Sequence, residues 1–163
     1  MATGAATAIV DLLNSRPYAG LADKLDDPAA AQLVLRPFGQ EEPPPASRIE
    51  QIRAVRDTLV SLADESGDWA DLTARLSGSV FNFNFEADSV RLRQVTGDPV
   101  VGRVAQAVAT LVEEGNWSRV RLCANEICRE AFYDSTRSRT RRWHSYEYCG
   151  NKVNVAAHRA RGK

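Results

Sequence analysis

The chain is poor in the residues that most enzymes use. It has two histidines and three cysteines in 163 residues, and none of these five lies within residues 1–118. That long first part also lacks a glycine-rich phosphate loop and a serine-centred nucleophile motif, so it offers no pattern for an active site, and no enzyme is expected. No apolar run approaches the roughly 20 residues needed to span a bilayer. The opening segment has no basic leader, and Asp11 interrupts its apolar part, which argues against a secretory signal. Three cysteines cannot all pair within one chain, and a reducing, cytoplasmic setting is expected. What remains is an ordinary core-forming composition, 44% apolar and 26% charged, long enough for one domain with a small appendage.

The zero net charge hides a strong asymmetry. Residues 1–118 carry 10 Lys and Arg against 17 Asp and Glu, a net −7, whereas residues 119–163 carry 11 against 4, a net +7. A basic end on an acidic body predicts an anionic partner for the end alone, nucleic acid being the leading candidate.

All three cysteines and one histidine fall in that basic end as two close pairs: Cys123-x4-Cys128, fifteen residues, His144-x4-Cys149. Thiolate and imidazole in this grouping suit tetrahedral Zn²⁺. Buried free cysteines would explain the residue types but not their pairing. His158 competes with His144 for the fourth position, and His144 is preferred because it restores the x4 spacing. Four protein ligands leave no open coordination site, so the expected zinc is structural, one per chain.

Around these ligands the sequence resembles the bacterial CGNR zinc-finger family. The resemblance rests on Cys123-Ala124-Asn125 with Cys128, Phe132 and Asp134, Arg141-Arg142-Trp143-His144-Ser145, Cys149-Gly150-Asn151-Lys152 and Arg159-Ala160-Arg161. It implies a DNA-binding transcriptional regulator, and the family usually carries upstream a helical domain called ABATE, associated with stress-induced regulation. The implied division is residues 1–117 as an ABATE-like helical domain and 118–163 as the finger. Two positions depart from the family pattern. His144 stands where cysteine is usual, which zinc accepts, and Lys152 replaces the signature arginine, keeping the charge but losing a planar bidentate donor.

Along the body, residues 5–14 predict a short helix ended at Arg16-Pro17. Asp26-Asp27-Pro28 predicts a second helix start, with Leu33 and Leu35 buried. Pro43-Pro44-Pro45 marks an extended connector. Ser47-x-x-Glu50 has the form of a capping box ahead of Ile49, Ile52, Val55, Leu59 and Leu62, one face of a longer helix. Residues 68–76 predict a helix with Trp69, Leu72 and Leu76 inward. Phe81, Phe83 and Phe85 then alternate with Asn82 and Asn84, a strand that can pair with residues 90–95. Such a stripe can line a ligand cavity or stack bases, but core packing is expected, because a lone hairpin needs to bury one face. Asp98-Pro99 starts a last body helix with Val100, Val101, Val104, Ala107, Val108, Leu111 and Val112 as its stripe and Gly115 as its stop. The expected fold class is α+β, mainly α: a helical domain with one small β-hairpin, followed by a zinc-finger module ending in a helix.

Within the finger, residues 117–122 and Phe132-Tyr133 predict short strands. Residues 134–142 form a loop dense in hydroxyls and guanidiniums, and Arg137, Arg139, Arg141 and Arg142 are candidates for phosphate contacts. Trp143 is expected to pack over the metal site. Gly150-Asn151 should turn the chain into a helix over about residues 151–161. There Val153, Ala156, Ala157 and Ala160 share one arc, while Asn151, Asn154, Val155 and His158, flanked by Lys152, Arg159 and Arg161, share the other, suited to a DNA major groove. The expected function is zinc-dependent DNA binding by a regulator whose body dimerises or takes a small-molecule effector. A zinc-stabilised RNA-binding or protein-interaction adaptor is the competing reading.

Overall fold

In the computed structural model, which describes residues 3–153 and 155, helices dominate and two small antiparallel strand pairs complete an α+β fold. Helix α1 (Gly4–Leu13) begins at Thr3, whose hydroxyl accepts from the Ala6 amide, and buries Ala6, Ile9, Leu12 and Leu13. Helix α2 (Pro28–Leu35) starts as its sequence suggests: Asp27 accepts from the Ala30 amide at 2.7 Å, and proline takes the first helical position. Its inward residues are Ala31 and Leu35, four apart on one face, so Leu33 points out and is 67% exposed.

Helix α3 (Ala46–Ala63) follows the proline connector and buries Ile52, Val55, Leu59 and Leu62. It starts one residue before Ser47, with Pro45 in the cap position and no side-chain cap, so the expected capping box does not form. The polyproline geometry of Pro45 (φ −69°, ψ 154°) already sets the entry to the helix. Helix α4 (Trp69–Leu76) is capped by Asp68 and buries Leu72; Trp69 stays at the surface, its ring set edge-on to Trp117 at 5.4 Å.

Strands β1 (Val80–Glu86) and β2 (Ser89–Thr96) form the expected hairpin, but not the expected burial. Phe83 and Phe85 are 68% and 77% exposed, with Val90 and Leu92 beside them. Hydrogen bonds fasten the base of the hairpin to its neighbours. The Gln94 amide donates to the carbonyls of Thr96 and Asp98, occupying space that a Cβ on Gly102 would fill, and Thr96 Oγ1 donates to the Gly78 carbonyl. Helix α5 (Pro99–Glu113) starts at Asp98, which accepts from the amides of Val100 and Val101 and pairs with Arg48 at 2.7 Å. Of its stripe, Val100, Val101, Val104, Val108 and Leu111 are buried, Ala107 is half-buried and Val112 is exposed.

The core lies between α1, α3 and α5, with each fully buried Leu or Ile contributing about 1.5–3 kcal/mol. Val120, Leu122 and Ala131, from the basic end, belong to this same core. Through it runs a buried ion pair that hydropathy patterning alone does not show. Arg56 on α3 is 1% exposed and makes two parallel bonds to the Asp23 carboxylate, at 2.8 and 2.9 Å, with Ser15 Oγ accepting a third. Among the described residues, no helix is long and apolar enough to cross a membrane.

Candidate metal centre

The basic end begins with a second, smaller hairpin. Strand β3 (Val120–Leu122) pairs with β4 (Ala131–Tyr133), and Cys123 and Cys128 lie in the loop between them. The Cys123 amide donates to the Glu130 carbonyl at 2.8 Å. Asn125 shapes the tip: its side chain accepts from the Ile127 amide, and its carbonyl accepts from the amides of Cys128 and Arg129. Arg129 takes a left-handed φ of 54°, which reverses the chain into β4.

Asp134 then organises the arginine-rich loop. It is fully buried; Oδ1 accepts from the amide and hydroxyl of Thr136, and Oδ2 accepts from the Arg141 amide. Burial alone would raise its pKa, but these bonds and the charge of Arg121 hold it below the ordinary carboxylate value. Arg119 donates to the carbonyls of Asp134 and Thr136, Arg121 donates to that of Arg139, and the Ala124 amide donates to the Arg142 carbonyl. The loop is thereby fastened to the Cys123–Cys128 turn, which brings His144 to it.

Cys149 arrives on a π-helical turn, Tyr146–Gly150, capped by Ser145, whose hydroxyl accepts from the Tyr148 amide. The helical segment therefore starts before Cys149 and runs on through residues 151–153, instead of turning at Gly150-Asn151 as expected. Gly150 serves a different need. A Cβ there would sit 2.7 Å from the Tyr146 ring and 3.2 Å from Trp143, so glycine permits the close approach of these two rings, themselves edge-to-face at 5.9 Å.

These elements converge on four ligand atoms, from Cys123, Cys128, His144 and Cys149, all within 4.8 Å of one another. His144 Nδ1 lies 3.3 Å from Cys128 Sγ and 3.7 Å from Cys149 Sγ. Bonds of about 2.3 Å to sulfur and 2.0–2.1 Å to nitrogen, arranged tetrahedrally, require an S···N edge of about 3.5 Å, so the donor set fits one structural zinc ion. Burial, reinforced by the neighbouring thiols, pushes the Cys128 thiol up to about 12 in the protein alone. A bound divalent cation supplies the charge that lets such thiols ionise.

The structure does not treat the candidate nucleic-acid contacts alike. Arg137, Arg139, Arg142, Asn151 and Lys152 are exposed. Arg139 also donates to the Gly115 carbonyl, and Arg142 lies over the Trp143 ring. Arg141 turns inward: its guanidinium donates to the carbonyls of Trp143 and His144 and lies 5.3 Å above the Phe132 ring. Asn154, His158, Arg159 and Arg161 lie outside the described residues.

Three further contributors, Glu130, Asn14 and Arg16, were not anticipated. Glu130 Oε2 lies 3.3 Å from Nε2 of His144. Asn14, at the end of α1, donates to the Ala131 carbonyl and accepts from the Ala131 amide, and Arg16 donates to the Arg129 carbonyl, so the body grips the loop that carries Cys128. Neither pairing is visible in spacing, because Asn14 and Ala131 are 117 residues apart.

Residues 119–162 match the family model described as CGNR zinc finger. No curated protein matches the chain. The matched segment contains all four ligands, and both the match and their geometry support zinc binding.

Proposed function

We propose that the chain is a zinc-dependent DNA-binding regulator, in which residues 118–163 contact double-stranded DNA and the ABATE-like body of residues 1–117 provides dimerisation or response to an effector. The observation that carries this reading is charge placed on a metal-fixed frame. The +7 of residues 119–163 includes Arg137, Arg139 and Arg142, on a loop whose backbone is pinned by Asp134, and Lys152, on the helical segment that follows Cys149, all four exposed. Exposed guanidiniums on a fixed backbone suit phosphate contacts, because the loop that carries them is already ordered before binding. The closed Cys3His set supports a structural role for the metal, since catalytic zinc keeps one position open.

The test is binding of zinc-loaded protein to a random pool of duplex DNA, followed by anisotropy titrations on selected and scrambled duplexes as salt is raised. Specific binding should survive excess competitor, and log K should fall with log salt by about 0.9 per phosphate contacted. Equal affinity for scrambled duplex, or tighter binding to single-stranded RNA, would instead favour the adaptor reading.

A further inference from the structure

The β1–β2 hairpin carries an apolar face that no part of the described chain covers. Phe83 stands opposite Leu92 and Phe85 opposite Val90, all four exposed, and the Phe83 and Phe85 rings lie 6.2 Å apart. A seven-residue edge strand with such a face normally bears a charge, a proline or a bulge along its length to block pairing with another chain. Strand β2 is guarded in this way by Arg91 and Arg93. Strand β1 is not: between Val80 and Phe85 it has no charged residue and no proline, and its only irregularity lies at Val80/Phe81.

The sequence of β1 also has a symmetry that matters for one kind of partner. Phe81-Asn82-Phe83-Asn84-Phe85 reads the same in both directions. Two copies related by a two-fold axis through Phe83 would pair antiparallel, with Phe83 opposite Phe83, Phe81 opposite Phe85 and Asn82 opposite Asn84, like face upon like face. The backbone agrees. Glu86 and Ser89 close a two-residue turn and so form a hydrogen-bonded pair; the alternation of an antiparallel ladder then leaves the N–H and C=O groups of Phe81, Phe83 and Phe85 directed away from β2. These are the groups that the two-fold pairing would join. The same operation on β2 would set its arginines against each other, which disfavours that edge.

We infer that β1 is a homodimerisation strand, pairing with β1 of a second copy to make a four-stranded sheet in the order β2-β1-β1-β2 with a continuous phenylalanine stripe on one face. The pairing is isologous and closes on itself, so it stops at two chains. It needs neither zinc nor nucleic acid, and it stands or fails independently of the DNA reading.

The experiment is sedimentation equilibrium on the full zinc-loaded chain without DNA, comparing the unchanged protein with Phe83→Glu, Phe83→Lys and an equimolar mixture of the two. Phe83 is exposed in the single chain, so both variants keep the fold, which circular dichroism and zinc content verify. The unchanged chain should be dimeric. Each variant alone should be monomeric at the same concentration, because like charges meet on the axis, and the mixture should recover the dimer through an opposite-charge pair. A monomeric unchanged chain overturns the inference, as does a dimer that persists in both single variants. Failure of the mixture to reassociate overturns the two-fold register at Phe83.

Discussion

The Glu130 carboxylate lies 3.3 Å from Nε2 of His144, on the opposite side of the ring from the Nδ1 that meets Cys128 and Cys149. A histidine that ligates through one nitrogen is oriented by what its other nitrogen meets, and a carboxylate there also strengthens it as a donor. Because a cysteine at position 144 would have no such second nitrogen, Glu130 is a companion to this chain's histidine. Glu130→Gln should weaken zinc binding about 10–100-fold while Glu126→Gln, at an exposed position of the same loop, leaves it unchanged. Competition against a chromophoric chelator measures both. Equal affinity in all three proteins would reduce Glu130 to a bystander.

Arg141 and Arg142 are neighbours with opposite duties. Arg141 holds the carbonyls on either side of the Trp143–His144 bond, whereas Arg142 is exposed over the Trp143 ring. Losing charge-assisted bonds of the Arg141 kind costs about 1.5–3 kcal/mol each. Arg141→Ala should therefore lower thermal stability and zinc affinity. The double change of Arg137 and Arg142 to Ala should leave both intact and, on the proposed function, make the salt dependence of DNA binding shallower by about 2 in the log–log slope. Thermal melts and salt titrations on the two proteins separate these roles.

The parts of the molecule that sequence made legible are those governed by short-range periodicity or by scarce residue types. The four zinc ligands stood out because cysteine is rare here and grouped, and the buried face of α3 showed itself at three- and four-residue spacing. Arg56 was not legible as buried: it falls on the same arc as Ile52, Val55 and Leu59, but its partner Asp23 lies 33 residues away and no local rule connects them. The hairpin misled for a related reason. Alternation in Phe81–Phe85 fixes which residues share a face, but not what that face meets, and here Phe83 and Phe85 stay exposed among the described residues. Leu33 and Trp69 show the same limit on helices too short for two inward rows.

Acid should destabilise the fold through two carboxylates. At Asp23, burial works to raise the pKa, but the Arg56 guanidinium, the Leu25 amide and Arg53 outweigh it, and at Asp134 the Thr136 and Arg141 bonds do the same. Both folded values lie below the unfolded value of about 3.9. Between the two, the unfolded chain binds more protons, so the stabilisation is complete above the unfolded value and is lost as pH falls through the folded ones. The melting temperature should drop below about pH 4, and the stability gap between the unchanged protein and Asp23→Asn should narrow there. A gap independent of pH would mean that Asp23 gains nothing from ionisation.

Removing zinc should act on only part of the basic end, because the small hairpin has two separate supports. Val120, Leu122 and Ala131 are buried in the core shared with α1 and α3, and Asn14 closes two hydrogen bonds on the Ala131 backbone. Among the described residues, the turns that carry Cys123, Cys128, His144 and Cys149 place none of these four in that shared core, and they depend on the ion. Chelation should thus strip amide-exchange protection from residues 123–130 and 141–150 while Val120–Leu122 and Ala131–Tyr133 keep theirs. Asn14→Ala should do the converse in the zinc-loaded protein: it leaves a backbone amide and carbonyl unpaired in a partly buried site, costing roughly 1–3 kcal/mol, and loosens β4 while the ligands still hold metal. If chelation instead erased protection in both strands and in α1 together, metal binding and body folding would be one cooperative unit, and Asn14→Ala would then lower zinc affinity in step with stability.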